Sequence, residues 1–395
     1  MDTCFAVTAP GLEVFTAKEL QRLFPGFEPD PAKPEILPPD LSPAKTHPLP
    51  GGVEFRGDLP ALYRANLHLR TASRILVRLG SPFYAAAFSE LRKKASRLPW
   101  ERFLTPGQPV SIRATCHKSK LYHSDAVAER IAGAIADRLG KPSPLLKPAD
   151  EDAANPPQLV VVRLMNDLCT VSLDSSGELL HRRGYRLAAA KAPLRETLAA
   201  AMLMASGWDM QSPLLDPFCG SGTIPIEAAL MARGIPPGIK RRFAFMDWPG
   251  FDRAVFSDQL SITSYPLPVT SEKPLILASD RDAGAIEMAR ANAERAGVAE
   301  MIGFTHQAVS SVTPPAGKGW VVTNPPYGKR VSEGKDLRNL YARFGEVLRQ
   351  KFPGWDVSVL CSDPSLLGQM RLGLDTSLAM VNGGVNVRLG RGVVG

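Results

Sequence analysis

Nowhere in the 395 residues is there a run of about 18 apolar side chains, so no membrane-spanning helix is expected. Cysteine is scarce. Cys4, Cys116, Cys169, Cys219 and Cys361 are far apart, odd in number and without a C-x-x-C pair. That pattern argues against a disulfide framework and a zinc or other metal site, and for a reducing, cytoplasmic setting. The opening stretch MDTCFAVTAPGLEVF has no basic segment ahead of a long apolar core, so no secretory signal is expected. Acidic residues are in deficit: 39 Asp and Glu against 47 Lys and Arg leave a net charge of +8. This balance is compatible with a polyanionic partner such as RNA. What remains is an ordinary globular composition, long enough for two or three domains.

Proline is abundant in one place. Residues 26–52, GFEPDPAKPEILPPDLSPAKTHPLPGG, read as an extended surface insertion without regular structure. Before it, Leu12, Phe15, Leu20 and Leu23 have helical spacing. After it, GDLPALYRANLHLRTASRILVRLG reads as helix then strand, with Asp58 as a candidate cap. QPVSIRATCHKSKLYHSDAVAERIAGAIADRLG reads as a strand, a basic loop and an amphipathic helix presenting Val127, Ile131, Ile135 and Leu139. The strands QLVVVRLMND and LCTVSLDSS follow. Up to about residue 180 the elements are mixed α and β. Beyond a boundary near 177–192 the pattern changes to strands alternating with helices, which predicts a mostly parallel sheet covered on both faces. Ligands on such sheets bind beyond the carboxyl ends of the strands.

Three strand ends carry polar motifs. DPFCGSGT, from Asp216 to Thr223, holds Gly220 and Gly222, which would let the backbone pass close to a ligand ahead of a helix N-terminus. A tight strand–helix turn explains the same glycines. No third glycine completes the dinucleotide fingerprint, and the next acidic strand end, Asp280, is 58 residues (280 − 222) from Gly222 rather than about 20. A nicotinamide cofactor is therefore disfavoured. Asp280 could accept both hydroxyls of a ribose or simply cap the next helix.

The third motif, VVTNPPYGKR, is the most specific. Two consecutive prolines end the strand in a stiff turn. The Asn324 side-chain carbonyl and the Pro325 backbone carbonyl are both acceptors, suited to the two hydrogens of an exocyclic amine. Held so, the nitrogen lone pair leaves conjugation and can be aimed at an electrophile. Pro326 stiffens the turn, and the Tyr327 ring can stack on the base that carries the amine. A double-proline stop explains the prolines but not the asparagine and tyrosine.

The order DPFCGSGT, acidic strand end, NPPY resembles the amino-group methyltransferases that use S-adenosylmethionine. Six blocks make the resemblance narrower: NLHLRTASRILVRL, KSKLYHSDAVAERI, SLDSSGELLHRRGYR, APLRETLAAAML, DPFCGSGTIPIEAA and TNPPYGKR. Together they resemble the THUMP-containing RNA guanine-N2 methyltransferases of bacteria, which include the N-terminal half of a bifunctional large-subunit ribosomal RNA enzyme and a transfer-RNA enzyme. The chain ends at Gly395, so no second methyltransferase half is expected. The resemblance implies a ferredoxin-like region over 1–75, a THUMP RNA-binding domain over 76–176, and a Rossmann-like class I methyltransferase domain over 187–395. It implies S-adenosylmethionine as cofactor, held by Thr197, Asp216, Phe218, Gly220, Gly222 and Asp280, with Asn324, Pro325, Pro326 and Tyr327 holding the target base. In GFTHQAVSSV, Ala308 stands where the family usually has an aspartate for the adenine amine, and the neighbouring Gln307 is the candidate substitute.

Structured RNA is expected to meet Lys118, Lys120 and His123 through phosphate contacts. Arg182, Arg183 and Arg186 in HRRGYR either line the RNA path or only tie the domains together. Two competing readings stay open. NPPY does not by itself choose between guanine N2 and adenine N6, and Ala308 leaves room for a non-catalytic RNA-binding or ribosome-assembly factor.

Overall fold

The structure is a computed structural model that describes residues 1–25, 51–147, 157–186, 194–261, 275–327 and 337–395. The proline-rich segment lies outside the described residues except for Gly51 and Gly52. The chain forms two compact units, each assembled from separated segments: Met1–Thr8, Leu23–Leu180 and Lys240–Ile262 in the first, and Ala9–Arg22, His181–Ile239 and Thr263–Gly395 in the second.

The first unit contains strands β1 (Asp2–Thr8), β2 (Gly52–Gly57), β3 (Ala72–Arg78), β4 (Phe83–Tyr84), β5 (Val110–His117), β6 (Leu145–Leu146), β7 (Gln158–Met165) and β8 (Leu168–Asp174). They build one sheet in the order β2-β1-β3-β8-β7-β5-β6, with β4 on β8. Only β5 runs parallel to its neighbours β6 and β7. Asp58 caps the helix Leu59–His68 by accepting the Ala61 N–H, as its position before Leu59-Pro60 predicts. The helix Ser124–Leu139 buries Val127, Ile131 and Ile135, while Leu139 is only half-buried. Residues 240–262 join this unit through aromatic packing. Phe245 stacks on Tyr63 at 4.5 Å, and Phe251 and Phe256 meet the same ring edge-on.

The second unit contains β9 (Leu214–Asp216), β10 (Ile276–Asp280), β11 (Ile302–His306), β12 (Trp320–Thr323), β13 (Asp356–Cys361), β14 (Asp375–Asn382) and β15 (Val385–Val393). Their order is β11-β10-β9-β12-β13-β15-β14. The first five are parallel, and β15 and β14 close the edge as an antiparallel hairpin. This is the doubly wound α/β sheet expected from strand–helix alternation. One face carries a core that includes residues of the helices Glu13–Leu23, Glu196–Ser206, Thr223–Ala232 and Ala283–Ala296. The other carries Tyr341, Phe344 and Leu348 of the helix Arg338–Lys351 with Leu366 and Leu367. The N-terminal helix belongs to this unit because Leu12 and Phe15 pack into the first of those cores. Gly11, at φ +91°, makes that approach: a Cβ there would stand 2.2 Å from the Ala379 carbonyl oxygen. Chain order reverses between β9 and β12, the switch point at which such sheets hold ligands.

Candidate active site at the strand ends

All three motifs end on neighbouring strands at this switch point: DPFCGSGT after β9, Asp280 at the end of β10 and NPPY after β12. The Cys219 N–H donates to the Ser279 carbonyl and Gly222 N–H to the Cys219 carbonyl, closing the glycine loop over β10. The two glycines do different work. Gly222, at φ +83°, stands where a Cβ would lie 3.0 Å from the Ala289 Cβ, so it lets the loop pack on the helix Ala283–Ala296. Gly220, at φ +51°, has no atom within 4 Å of its Cβ position and faces open space that a ligand can enter. Phe218 is fixed by an edge-on contact with Phe344 at 5.2 Å.

Asp216 is 1% exposed. Its Oδ1 accepts the Thr323 hydroxyl at 2.6 Å and the Phe218 N–H at 3.2 Å. The resemblance expects it beside the methionine part of the cofactor, but in the structure its Oδ1 ties β9 to β12 from beneath the loop. Burial pushes its carboxyl up to about 7, partly offset by those two hydrogen bonds.

The capping role that the sequence offers to Asp280 falls to Asp282. Asp282 caps the helix Ala283–Ala296, accepting the Gly284 and Ala285 N–H groups. Asp280 is half-buried and accepts the Gly220 N–H at 3.0 Å and the Asp282 N–H at 3.1 Å, one on each oxygen. Each oxygen keeps acceptor capacity for a ribose hydroxyl. Gln307 follows β11, and its N–H donates to the Asp280 carbonyl at 2.9 Å, which fixes Gln307 beside this carboxylate. Ala308 is exposed. Thr197 is buried in the first turn of the helix Glu196–Ser206.

The Asn324–Tyr327 turn is held at three points, each by a residue outside the motif. Thr323 anchors its start on Asp216. The buried Tyr341 hydroxyl reaches the Pro326 carbonyl at 3.3 Å. The Asn382 amide donates to the Tyr327 hydroxyl at 3.1 Å. Against these restraints, the Asn324 Oδ1 is buried and has no hydrogen-bond partner among the described residues. A buried acceptor without a donor is costly unless something else supplies the donor. Sequence reasoning missed Tyr341 and Asn382. The Asn-Gly-Gly signal at 382–384 marks the hairpin turn between β14 and β15, but nothing local says that Asn382 meets Tyr327.

The cationic candidates divide sharply. Lys118, Lys120 and His123 are exposed on the loop after β5. Arg183 and Arg186 are not available to a polyanion. Arg183 is buried with its Nε 3.6 Å from the Glu227 Oε1. Arg186 donates to the Leu194 carbonyl and the Thr223 hydroxyl, and pairs with Glu196 at 3.4 Å. Both are paired internally, Arg186 on the last residue of the glycine motif, which favours a tying role over an RNA contact for these two; Arg182 is half-buried. Among the described residues, no group of three His, Cys, Asp or Glu side chains could hold a metal ion, and no helix is long and apolar enough to cross a membrane.

A doubly wound sheet with a glycine loop, an acidic strand end and a proline turn at its switch point is the architecture of a class I methyltransferase. A family model for the RMKL-like methyltransferase domain matches residues 183–388, a THUMP domain model matches 85–174, and a model of the RlmL ferredoxin-like domain matches 40–76. The chain belongs to the RMKL-like methyltransferase family. It is 34% identical to the Synechocystis protein named RNA methyltransferase slr0064, over 96% of this chain and 94% of that one. It is 36% identical to the ribosomal RNA large subunit methyltransferase K/L of Shewanella frigidimarina, over 84% of this chain and 47% of that enzyme, so it spans about half the length of the K/L proteins. Two solved structures align along nearly the whole chain. SMU.472, described as a methyltransferase complexed with SAH, gives a TM-score of 0.83 at 27% identity, covering 100% of this chain and 98% of that one. A Listeria monocytogenes protein described as an N6-adenine-specific DNA methylase gives 0.79 at 32% identity, covering 98% and 95%.

Proposed function

We propose that the chain transfers a methyl group from S-adenosylmethionine to the exocyclic N2 amine of a guanine in structured RNA, ribosomal or transfer. The observation that carries this reading is the Asn324 Oδ1, a buried acceptor without a donor among the described residues, on a turn fixed at three points. With the Pro325 carbonyl it offers two acceptors to the two hydrogens of an amine. S-adenosylmethionine is the cofactor, and when bound it supplies an electrophilic methyl group on a sulfonium. The residues present fit it: Gly220 leaves open space beside the loop, Asp280 has acceptor capacity for ribose hydroxyls, and Gln307 stands beside Asp280 to take the place of the family's adenine-binding aspartate.

Asn324 and Pro325 draw the amine lone pair out of conjugation, and Tyr327, steadied by Asn382, stacks on the base. Positioning supplies most of the rate, because the amine becomes acidic as the new bond forms and needs no strong base in advance. The target base leaves its stack to reach the turn. Lys118, Lys120 and His123 meet phosphates. RNA rather than DNA is favoured by the THUMP match and by the names of the two curated relatives. The name carried by the Listeria structure favours a second reading, adenine N6, which the same pair of acceptors would serve.

Nucleoside analysis of RNA methylated by the purified protein separates the two, with N2-methylguanosine expected and N6-methyladenosine assigning the second. Asn324→Ala is expected to lower the methyl-transfer rate at least ~10²-fold while calorimetry shows near-native S-adenosylmethionine binding. Native-like turnover in that variant would remove the turn from the mechanism. Failure of the native protein to bind the cofactor would leave a non-catalytic RNA-binding role.

A further inference from the structure

We infer that the first unit carries an aromatic platform for unpaired nucleotides, formed by Tyr122 and Tyr84 on either side of the Asn166–Asp167 turn. The inference rests on the RNA reading above and goes further: it names which part of an RNA this surface takes.

The two tyrosines are the most exposed aromatic rings among the described residues, 70% for Tyr122 and 65% for Tyr84. A single exposed tyrosine needs no explanation. Two of them on segments hydrogen-bonded to one turn do. The loop 118–123 hangs on Asp167, whose Oδ1 accepts the Lys120 N–H at 2.6 Å and whose N–H donates to the Ser119 hydroxyl at 3.0 Å. The strand bearing Tyr84 hangs on the same residue from the other side: Tyr84 pairs with Leu168, and the Ala85 N–H donates to the Asp167 carbonyl at 2.9 Å. The turn itself is locked, since the Asn166 N–H donates to the His117 carbonyl.

This rim is also conformationally costly. Lys118 (φ +46°), Asn166 (φ +51°) and Asp167 (φ +63°) all occupy the left-handed region. Asn-Asp is ordinary in a two-residue hairpin turn, whereas a lysine there is not. Such conformations persist where the surroundings fix them, and they cluster at binding sites. The Tyr122 ring lies against the His123 ring at 4.1 Å, which restricts its orientation while most of it stays in solvent.

Lysines alone would suit any phosphate backbone. An exposed ring beside them selects further, because a paired base has both faces covered by its neighbours in the helix, whereas an unpaired base presents a face to stack. Phosphate contacts by Lys118 and Lys120 and stacking on Tyr122 and Tyr84 therefore fit a single-stranded loop or end of an RNA.

The test uses the full chain and two labelled RNAs with equal numbers of phosphates, a blunt duplex and a hairpin with an unpaired tail, titrated by fluorescence anisotropy. The native protein is expected to prefer the tailed RNA. Tyr122→Ala should weaken that complex by roughly 5- to 100-fold, the range for losing one base–aromatic stack. It should leave duplex binding and the salt slope unchanged, since no phosphate contact is lost. Tyr122→Phe should keep the affinity, and Tyr84→Ala should act like Tyr122→Ala. RNA binding without preference for the tail, or tailed-RNA affinity unmoved in both alanine variants, would overturn the platform and leave the RNA reading standing. No binding to either RNA would overturn both.

Discussion

CHKSKLYH and HRRGYR look alike in the sequence, two short basic stretches each carrying a histidine and a tyrosine, and the fold sends them to opposite fates. Lys118 and Lys120 stand in solvent and form no ion pair among the described residues. Arg183 and Arg186 are drawn inside against Glu227 and Glu196, and Tyr185 is buried between them with its hydroxyl 3.3 Å from the Glu227 Oε1. The residue types help to explain the difference. A guanidinium offers five N–H groups in a planar fork and can satisfy several acceptors at once, as Arg186 does, whereas an ammonium is strongly hydrated and costly to bury. A count of positive charges along the chain therefore overstates the surface that a polyanion can meet.

The largest test of this contrast is Arg183→Ala. Removing one member of a buried pair strands the other, so a stability loss of ~3–5 kcal/mol is expected by urea denaturation. A loss below about 0.5 kcal/mol, the range of surface substitutions, would place Arg183 with the lysines and break the comparison.

Asp216 sharpens it from the other side, as a buried carboxylate with no ion-pair partner among the described residues. Its carboxyl is pushed up to about 7, from an ordinary value of 3.8. Below about pH 3 the group is protonated in both folded and unfolded chains. As pH rises from about 4 to 7, the unfolded chain loses this proton first, so the contribution of Asp216 to stability falls, by on the order of 4 kcal/mol in all. Above 7 the loss is complete. In the cofactor-free protein, urea midpoints followed across this window should decline in the native chain relative to Asp216→Asn. Parallel profiles would show that Asp216 is not perturbed.

The smallest effect on folding is expected from replacing Lys118 and Lys120 together with alanine. Stability should move by less than about 0.5 kcal/mol. The slope of log RNA affinity against log salt should become shallower by about 1 to 2 units, one for each lost phosphate contact. An unchanged slope and affinity would make these lysines ordinary solvated surface.

Much of the candidate site was legible before any fold was known. Gly220, Asp280 and Asn324–Tyr327 stand out as candidates because each sits where a local signal is strong, a glycine turn, an acidic residue after an apolar run, or a double proline. Asp282 as the cap in place of Asp280 was assigned only by the backbone geometry. The role of the arginines stays open in the sequence because charge says nothing about partners; Glu227 is 44 residues (227 − 183) beyond Arg183. Tyr341 and Asn382 were missed for the same reason.

The sequence by itself determined the order of strands and helices, the punctuation between them and the residue types at the strand ends, because propensity, apolar periodicity and turn chemistry act over a few residues. Only the tertiary structure decided which of those ends stand side by side, that residues 9–22 and 240–262 each pack in a different unit from the segments that flank them, and which cations face water. Those outcomes depend on contacts between residues tens to hundreds of positions apart. Such contacts leave no pattern in the local sequence, and burial, not residue type, sets their energy.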